Sequence, residues 1–251
     1  MKFNTDFLLQ RRTIRKYTAQ DVPDEILDEI IAEGCRTSTT GNMQVYSIIV
    51  TRDSSLKQQL LPLHFNQGMV TGAPVVLTFC ADFNRFNKWC LLNNASPGYD
   101  NFLSFITAAT DALLAAQTIC ISAEARGLGI CYLGTTTYTA NKIIEVLRIP
   151  RGVVPVTTVT LGWPAEHPEQ PDRLPADAII HREVYSDYTD QEIRDYYSAK
   201  EAREDSARFV RENNKATLAQ VFTDVRYKKA DNVNFSRILL QVLNDQGFMN
   251  Q

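Results

Sequence analysis

The chain lacks most of the short signatures by which a sequence declares its chemistry. It contains no G-x-x-x-x-G-K-[ST] and no G-x-S-x-G, which excludes a P-loop phosphate cradle and a nucleophile elbow. Its nearest approach to G-x-G-x-x-G is RGLGICYLG at residues 126–134. The third glycine is missing there, and the order runs from helix to strand, the reverse of the dinucleotide fingerprint. Cysteine is scarce and odd in number (five), with no C-x-x-C, so reduced thiols in a cytoplasmic protein are expected. The three histidines stand far apart with no H-x-x-x-H or H-E-x-x-H spacing, and no metal site is expected. A net charge of −3 gives no domain-wide basic excess, which argues against nucleic acid as a partner. The N-terminal MKFNTDFLLQRR lacks the apolar core of a leader. The longest apolar-rich segment, residues 101–129, is interrupted by Asp111 and Glu124 and reads as a buried helix rather than a membrane span.

What is present is enough apolar material for a substantial core, 44% of 251 residues, arranged as strands alternating with helices. DVPDEILDEIIAEGCR reads as a helix with Pro23 at an early position, YSIIVTRD as a strand, and SSLKQQLLPL as a short helix opened by a serine cap. APVVLTFCADF is apolar throughout, as an interior strand should be. NRFNKWCLLNNASPGYDN reads as a long irregular stretch able to cover a pocket. The helix over 101–126, the strand GICYLG, the helix TANKIIEVLRIP and the strand VVPVTTVTLGW follow, which together indicate a layered α/β or α+β sandwich. From Thr189 the character changes: TDQE is a capping box opening one charged helix through Phe209, and FSRILLQVLNDQG is a last amphipathic helix. The division expected is a core over 1–188 and a helical extension over 189–251 that wraps the core or a partner subunit.

Against this background stands RRTIRKY at residues 11–17, four cations in six positions. A later segment, LGWPAEHPEQPDRLP at 161–175, leaves a strand, crosses a proline-rich loop and delivers Arg173. In combination with G-N-x-Q at 41–44 and Y-L-G at 132–134, these resemble the nitroreductase superfamily, in its branch of NADPH-dependent, oxygen-insensitive nitroreductases and flavin reductases. The resemblance runs in order from residue 8 to about residue 195.

The resemblance implies an α+β fold, a three-layer sandwich with a mixed, mainly antiparallel sheet between helices and a helical C-terminal extension. It implies FMN as cofactor, NADPH or NADH as electron donor, and a homodimer with FMN at the interface. It further implies ping-pong hydride transfer through flavin N5 to small planar acceptors such as nitroaromatics, quinones or flavins, in a cytoplasmic enzyme. No protein residue need be catalytic, because the cofactor carries the reaction. Guanidinium groups suit both the phosphate dianion and the charge that develops at the ring's pyrimidine edge. By resemblance, Arg11, Arg12 and Thr13 hold phosphate or ribityl oxygens, Arg15 faces the ring, Lys16 points to solvent, and Arg173 returns to the phosphate. Thr39, Asn42 and Gln44 match a loop reaching a flavin across the dimer. Gln67 matches a ring-binding glutamine, and Tyr132, Leu133, Gly134 and Thr135 match a segment along the flavin. Thr135 and Pro171 depart from the family's usual glycine and lysine. In the tail, Lys200, Arg203 and Arg208 form a basic run able to meet the donor's phosphate, though a salt-bridged exposed helix face with Glu201, Glu204 and Asp205 is the preferred reading, and Arg226 is a further substrate candidate. The alternatives are a flavin reductase that hands reduced FMN to a partner, and a non-catalytic flavin-binding protein.

Overall fold

A computed structural model describes residues 6–251, and the first five, where the N-terminal segment read for a leader begins, lie outside the described residues. The chain forms two compact units, one comprising residues up to Glu169 together with Phe235–Gln251, the other Gln170–Asn234. The division therefore differs from the expected boundary at residue 188: the end of the last helix packs with the core, not with the rest of the tail.

The first unit is built on a sheet of β1 (Tyr46–Thr51), β2 (Val75–Asp82), β3 (Gly129–Leu133) and β4 (Val153–Gly162), in the order β1-β2-β4-β3. All three pairings are antiparallel, so the antiparallel part of the expectation accounts for every pair among the described residues. The inner strands β2 and β4 are buried almost throughout, as their unbroken apolar and β-branched runs require. Pro155 cannot donate to the ladder, and it lies where the register shifts opposite Phe79 and Cys80, a position a central proline can occupy.

Helices cover both faces. On one side, helix Asp24–Gly34 and the long helix Phe102–Ala125 meet Val75, Leu77, Phe79, Ile130, Val159 and Leu161. Ala108, Ala112, Ala115, Ala116 and Ala123 are fully buried, and their small side chains let the long helix lie close on the sheet. On the other side, Leu60, Met69, Val70 and Ile143 pack against Cys80, Cys131, Leu133 and Val153. The alternation along β3 follows from strand geometry: Ile130 faces the long helix, while Cys131 and Leu133 face the opposite layer. The long helix is apolar enough to cross a membrane by length and composition alone, but it is the core helix of this unit.

Four local expectations need correction. The stretch 84–101 is irregular only in its second half: Asn84–Leu92 is a helix, with the Asp82 carboxylate accepting from the Arg85 amide and Phe83, Phe86 and Cys90 turned inward. Its asparagines and the Asn93-Asn94 run concealed the helical spacing of those residues. The cap of helix Ser54–Leu60 is Asp53, whose carboxylate accepts from the Leu56 amide at 2.8 Å, rather than a serine. In the tail, Thr189 and Glu192 form both bonds of the capping box, but the helix breaks after Glu201. A second begins at Glu204, because Arg203 is extended (φ −66°, ψ 144°). The last helix begins earlier than its apolar pattern, at Lys229, and runs to Asp245. It closes on Gly247 in the left-handed region (φ +84°), where the Phe248 amide reaches the Leu243 carbonyl.

Candidate functional site: an arginine segment on the edge of the sheet

RRTIRKY runs as extended chain along the free edge of β3. The Ile14 amide donates to the Ile130 carbonyl at 3.0 Å, and Tyr17 pairs with Pro164 across an isolated bridge. The turn after β4 holds the other side. Both the Arg15 and Lys16 amides donate to one Glu166 carboxylate oxygen (2.7 and 3.0 Å), the Ala165 amide donates to the Lys16 carbonyl, and the Thr18 amide to the Trp163 carbonyl. Ile14 is driven into the core, and the Tyr17 hydroxyl lies 2.9 Å from the Ile14 carbonyl, to which it donates, and 2.7 Å from the Thr160 hydroxyl. Burial raises the Tyr17 phenol above its ordinary range, so it stays protonated and holds the strap.

Two glycines make this close approach possible. A Cβ on Gly129 would lie 2.6 Å from Ile14, and one on Gly162 would lie 2.5 Å from the Pro74 ring and 3.0 Å from Tyr17. The glycine of L-G-W-P is therefore a packing requirement. Gly134 is different. It is exposed, just past the end of buried β3, its backbone is not in the left-handed region, and no atom lies within 4 Å of its missing Cβ. Neither conformation nor packing explains a glycine there; open space that a flat ligand could occupy does.

The cations are unequally disposed. Arg11 Nε donates to Glu124 at 2.8 Å, and burial raises the Glu124 carboxyl although Arg11 opposes the shift. Arg12 donates from Nη1 to the His167 ring, while its Nε is buried with no hydrogen-bond partner. Thr13 is half-buried. The exposed Arg15 is close enough to Cys131 to lower its thiol, though burial outweighs it and the thiol stays above its ordinary value. Lys16 is exposed, as expected. Arg11, Arg12, Glu124, Glu166, His167 and Gly129 help line a cavity of about 330 Å³. In the cavity Arg11 and Arg12 stand with Glu124 and Glu166, and the exposed Arg15 and Lys16 follow on the same segment, so the segment is rich in the donors a phosphate dianion needs.

Tyr132 and Leu133 give their side chains to the two core layers. Tyr132 reaches toward Cys120, and burial raises its phenol. Only main chain and the bare Gly134 remain to meet a ligand. Thr135 is buried, its hydroxyl 2.8 Å from His64 Nδ1. His64 is fully buried with Nε2 unpartnered, and burial pushes its pKa down to about 4, so it is neutral. Gln67 lies half-buried on the same loop as His64.

Thr39, Asn42 and Gln44 lie elsewhere. Their loop enters β1, the strand at the opposite edge from β3. Three strand spacings, about 14 Å, separate the two edges. Gly41, Asn42 and Gln44 are all left-handed, and the buried Asp111 carboxylate fixes the loop by accepting from the Thr40 and Val45 amides at 2.9 and 3.4 Å. One chain does not bring this loop to Gly134.

The remaining candidates fall in the second unit. Arg173 donates to the Asp172 carbonyl, and Lys200 pairs with the Asp172 carboxylate at 2.9 Å. Arg203 pairs with Asp205, Arg208 with Glu212, and Arg226 lies over the Phe209 ring, 4.4 Å from its centre. Sequence reasoning missed Glu124, Glu166, His167 and the His64–Thr135 pair. Only Glu166 and His167 carried a signal, by following W-P-A directly.

Comparison with known proteins gives the chain its relatives. Residues 8–163 match the model of the nitroreductase family. The chain is 32% identical to an oxygen-insensitive NADPH nitroreductase of Salmonella typhimurium, across 76% of this chain and 81% of that protein. It is 33% identical to an FMN reductase (NADPH) of Bacillus subtilis, across 78% and 84%. A crystallised Bacteroides fragilis protein described as a candidate oxidoreductase superposes with a TM-score of 0.97 at 55% identity, covering 98% of this chain and all of the other.

Proposed function

We propose that this chain, which belongs to the nitroreductase family, is an NAD(P)H-dependent oxidoreductase that holds FMN against Gly134 and the segment 11–16. Such a cofactor, when bound, would accept hydride at N5 from NAD(P)H and, after the donor leaves, pass it to a nitroaromatic, quinone or flavin. The relatives' names, an NADPH nitroreductase and an FMN reductase, support the donor and the flavin. The observation that carries the reading is Gly134, an exposed glycine that the fold does not need, just past the end of β3, the strand whose free edge holds the arginine segment at Ile130.

This chain's own residues bind, orient and balance charge. Arg12, with its unsatisfied buried Nε, is the best-placed phosphate donor. Arg11 shares its guanidinium with Glu124, so it contributes less charge to an anion than its position suggests. Arg15 stands on the Cys131 side of β3, where a cation stabilises negative charge on a reduced ring. The neutral His64 holds Thr135 and so fixes the segment bearing Gly134. The loop 39–44 reaches a flavin only from a second copy, because its own chain places it at the far edge of the sheet. A homodimer supplies that copy, and the exposed Leu103, Ile106, Leu113 and Leu114 of the long helix give it an apolar surface to bury. The basic run of the second unit is assigned no contact with the donor, since Lys200 and Arg203 are ion-paired and Arg226 rests on Phe209. We place the enzyme in the cytoplasm.

The test is the visible spectrum of FMN-reconstituted protein under anaerobic conditions. A bound flavin band that bleaches with NADPH and returns with a nitroaromatic or quinone is expected. A band that neither NADPH nor NADH bleaches would leave a flavin-binding protein instead.

A further inference from the structure

We infer that Phe65, Tyr138 and Phe235 form an aromatic shelf that selects flat, electron-poor acceptors; the inference rests on the flavin reading above and adds the residues that choose the substrate class. Tyr138 and Phe235 stack with centres 4.4 Å apart and planes 6° from parallel. Phe65 leans on both, at 6.3 and 6.0 Å. Half of Phe65 is exposed, and the other two rings are only partly covered.

The shelf is built, not incidental. Phe65 and Asn66 are consecutive non-glycine residues in the left-handed region (φ +55° and +56°), a conformation that costs energy and persists only where the surroundings impose it. Here they do. The Phe65 amide donates to Pro62 and the Asn66 amide to Leu61, and Thr139 Oγ1 donates to the Leu63 carbonyl at 2.8 Å. The His64–Thr135 bond lies between these two segments. The strained turn thus directs an aromatic ring outward two residues before Gln67, while Tyr138 follows Gly134 by four residues, with its amide on the Thr135 carbonyl. The shelf therefore belongs to the same two segments that the flavin reading places along the ring.

Its chemistry selects an occupant. The three rings carry one hydroxyl and no charge, so nothing in them holds a phosphate or a carboxylate. Aromatic faces are negative at the centre, and they attract flat rings whose electron density nitro or carbonyl groups have withdrawn. Quinones and nitroaromatics have that property; a compact inorganic acceptor gains nothing from it.

The experiment uses the FMN-loaded enzyme and compares kcat/KM for menadione with kcat/KM for ferricyanide, in wild type, Phe65→Ala, Phe65→Leu and Phe65→Tyr. The ratio is expected to fall about five- to tenfold in Phe65→Ala, the worth of one aromatic contact. It should fall less in Phe65→Leu and return in Phe65→Tyr, chiefly through KM for menadione. An unchanged ratio in a Phe65→Ala or Phe65→Leu enzyme that still binds FMN and bleaches with NADPH would overturn the shelf alone. A wild-type protein that takes up no FMN would instead overturn the flavin reading, and the shelf with it.

Discussion

Two stretches of this chain are equally rich in cations and stand in opposite physical situations. RRTIRK at residues 11–16 is extended and fixed by main-chain hydrogen bonds to β3 and to the turn after β4, and it leaves a buried guanidinium nitrogen without a partner. The run from Lys200 to Arg211 lies on helices, and Lys200, Arg203 and Arg208 each meet a carboxylate in their own unit. Arg203 in turn holds the Asp205 carboxyl below its ordinary range. Counting arginines would rank the two alike. An anion site needs donors whose position is already set and whose charge is not already matched, and only the first stretch has both.

The comparison can be broken most severely at the floor of the proposed site. Gly134→Val is expected to weaken FMN binding by at least about a hundredfold by filling the open space. It should leave the thermal midpoint almost unchanged, since a Cβ at this position meets no atom within 4 Å. Gly162→Ala should do the reverse. Its Cβ would press on the rigid Pro74 ring, and a loss of about 2 kcal/mol in denaturant unfolding is expected. If both variants behaved alike, the distinction between a ligand-facing and a packing glycine would be lost.

The third prediction concerns the histidine that fixes the floor. His64 titrates at about 4 when folded, below its ordinary 6.5, because burial disfavours imidazolium. The folded protein thus binds fewer protons than the unfolded chain between those values. The contribution of neutral His64 is complete above about pH 6.5 and is lost as pH falls toward 4, reaching about 2 kcal/mol at pH 5. Urea unfolding at pH 7 and pH 5 should show that loss in wild type and less of it in His64→Gln.

The two cation-rich stretches can then be compared directly. Arg12→Ala should raise the FMN dissociation constant about tenfold or more, the worth of one charge-assisted contact, measured by flavin fluorescence titration. Arg208→Ala is the smallest effect. Removing one exposed pair should change unfolding free energy by less than about 0.5 kcal/mol and leave FMN affinity within twofold.

Much of this was legible in the sequence, and the reasons differ by element. The interior strands announced themselves as unbroken apolar runs, and the capping box at Thr189 fixed a helix start to the residue. The helix Asn84–Leu92 did not, because its inward residues are separated by asparagines that favour turns. For the proposed site, motif and order single out Arg12, Arg15 and Gly134 as candidates, whereas the charge sharing between Arg11 and Glu124 has no local signal. Those two are 113 positions apart, and only the packing of the long helix beneath β3 brings them together. The placement of Thr39, Asn42 and Gln44 on the far edge of the sheet is likewise a property of strand order, which no local pattern encodes.

The most direct test is hydrogen exchange of the protein with and without FMN. Slowed exchange in residues 12–17 and 133–136, with the loop 39–44 slowed in the same sample and residues 204–212 unchanged, is the predicted result. Protection confined to residues 204–212, with the edge of β3 exchanging as before, would contradict the assignment of the flavin to the arginine segment.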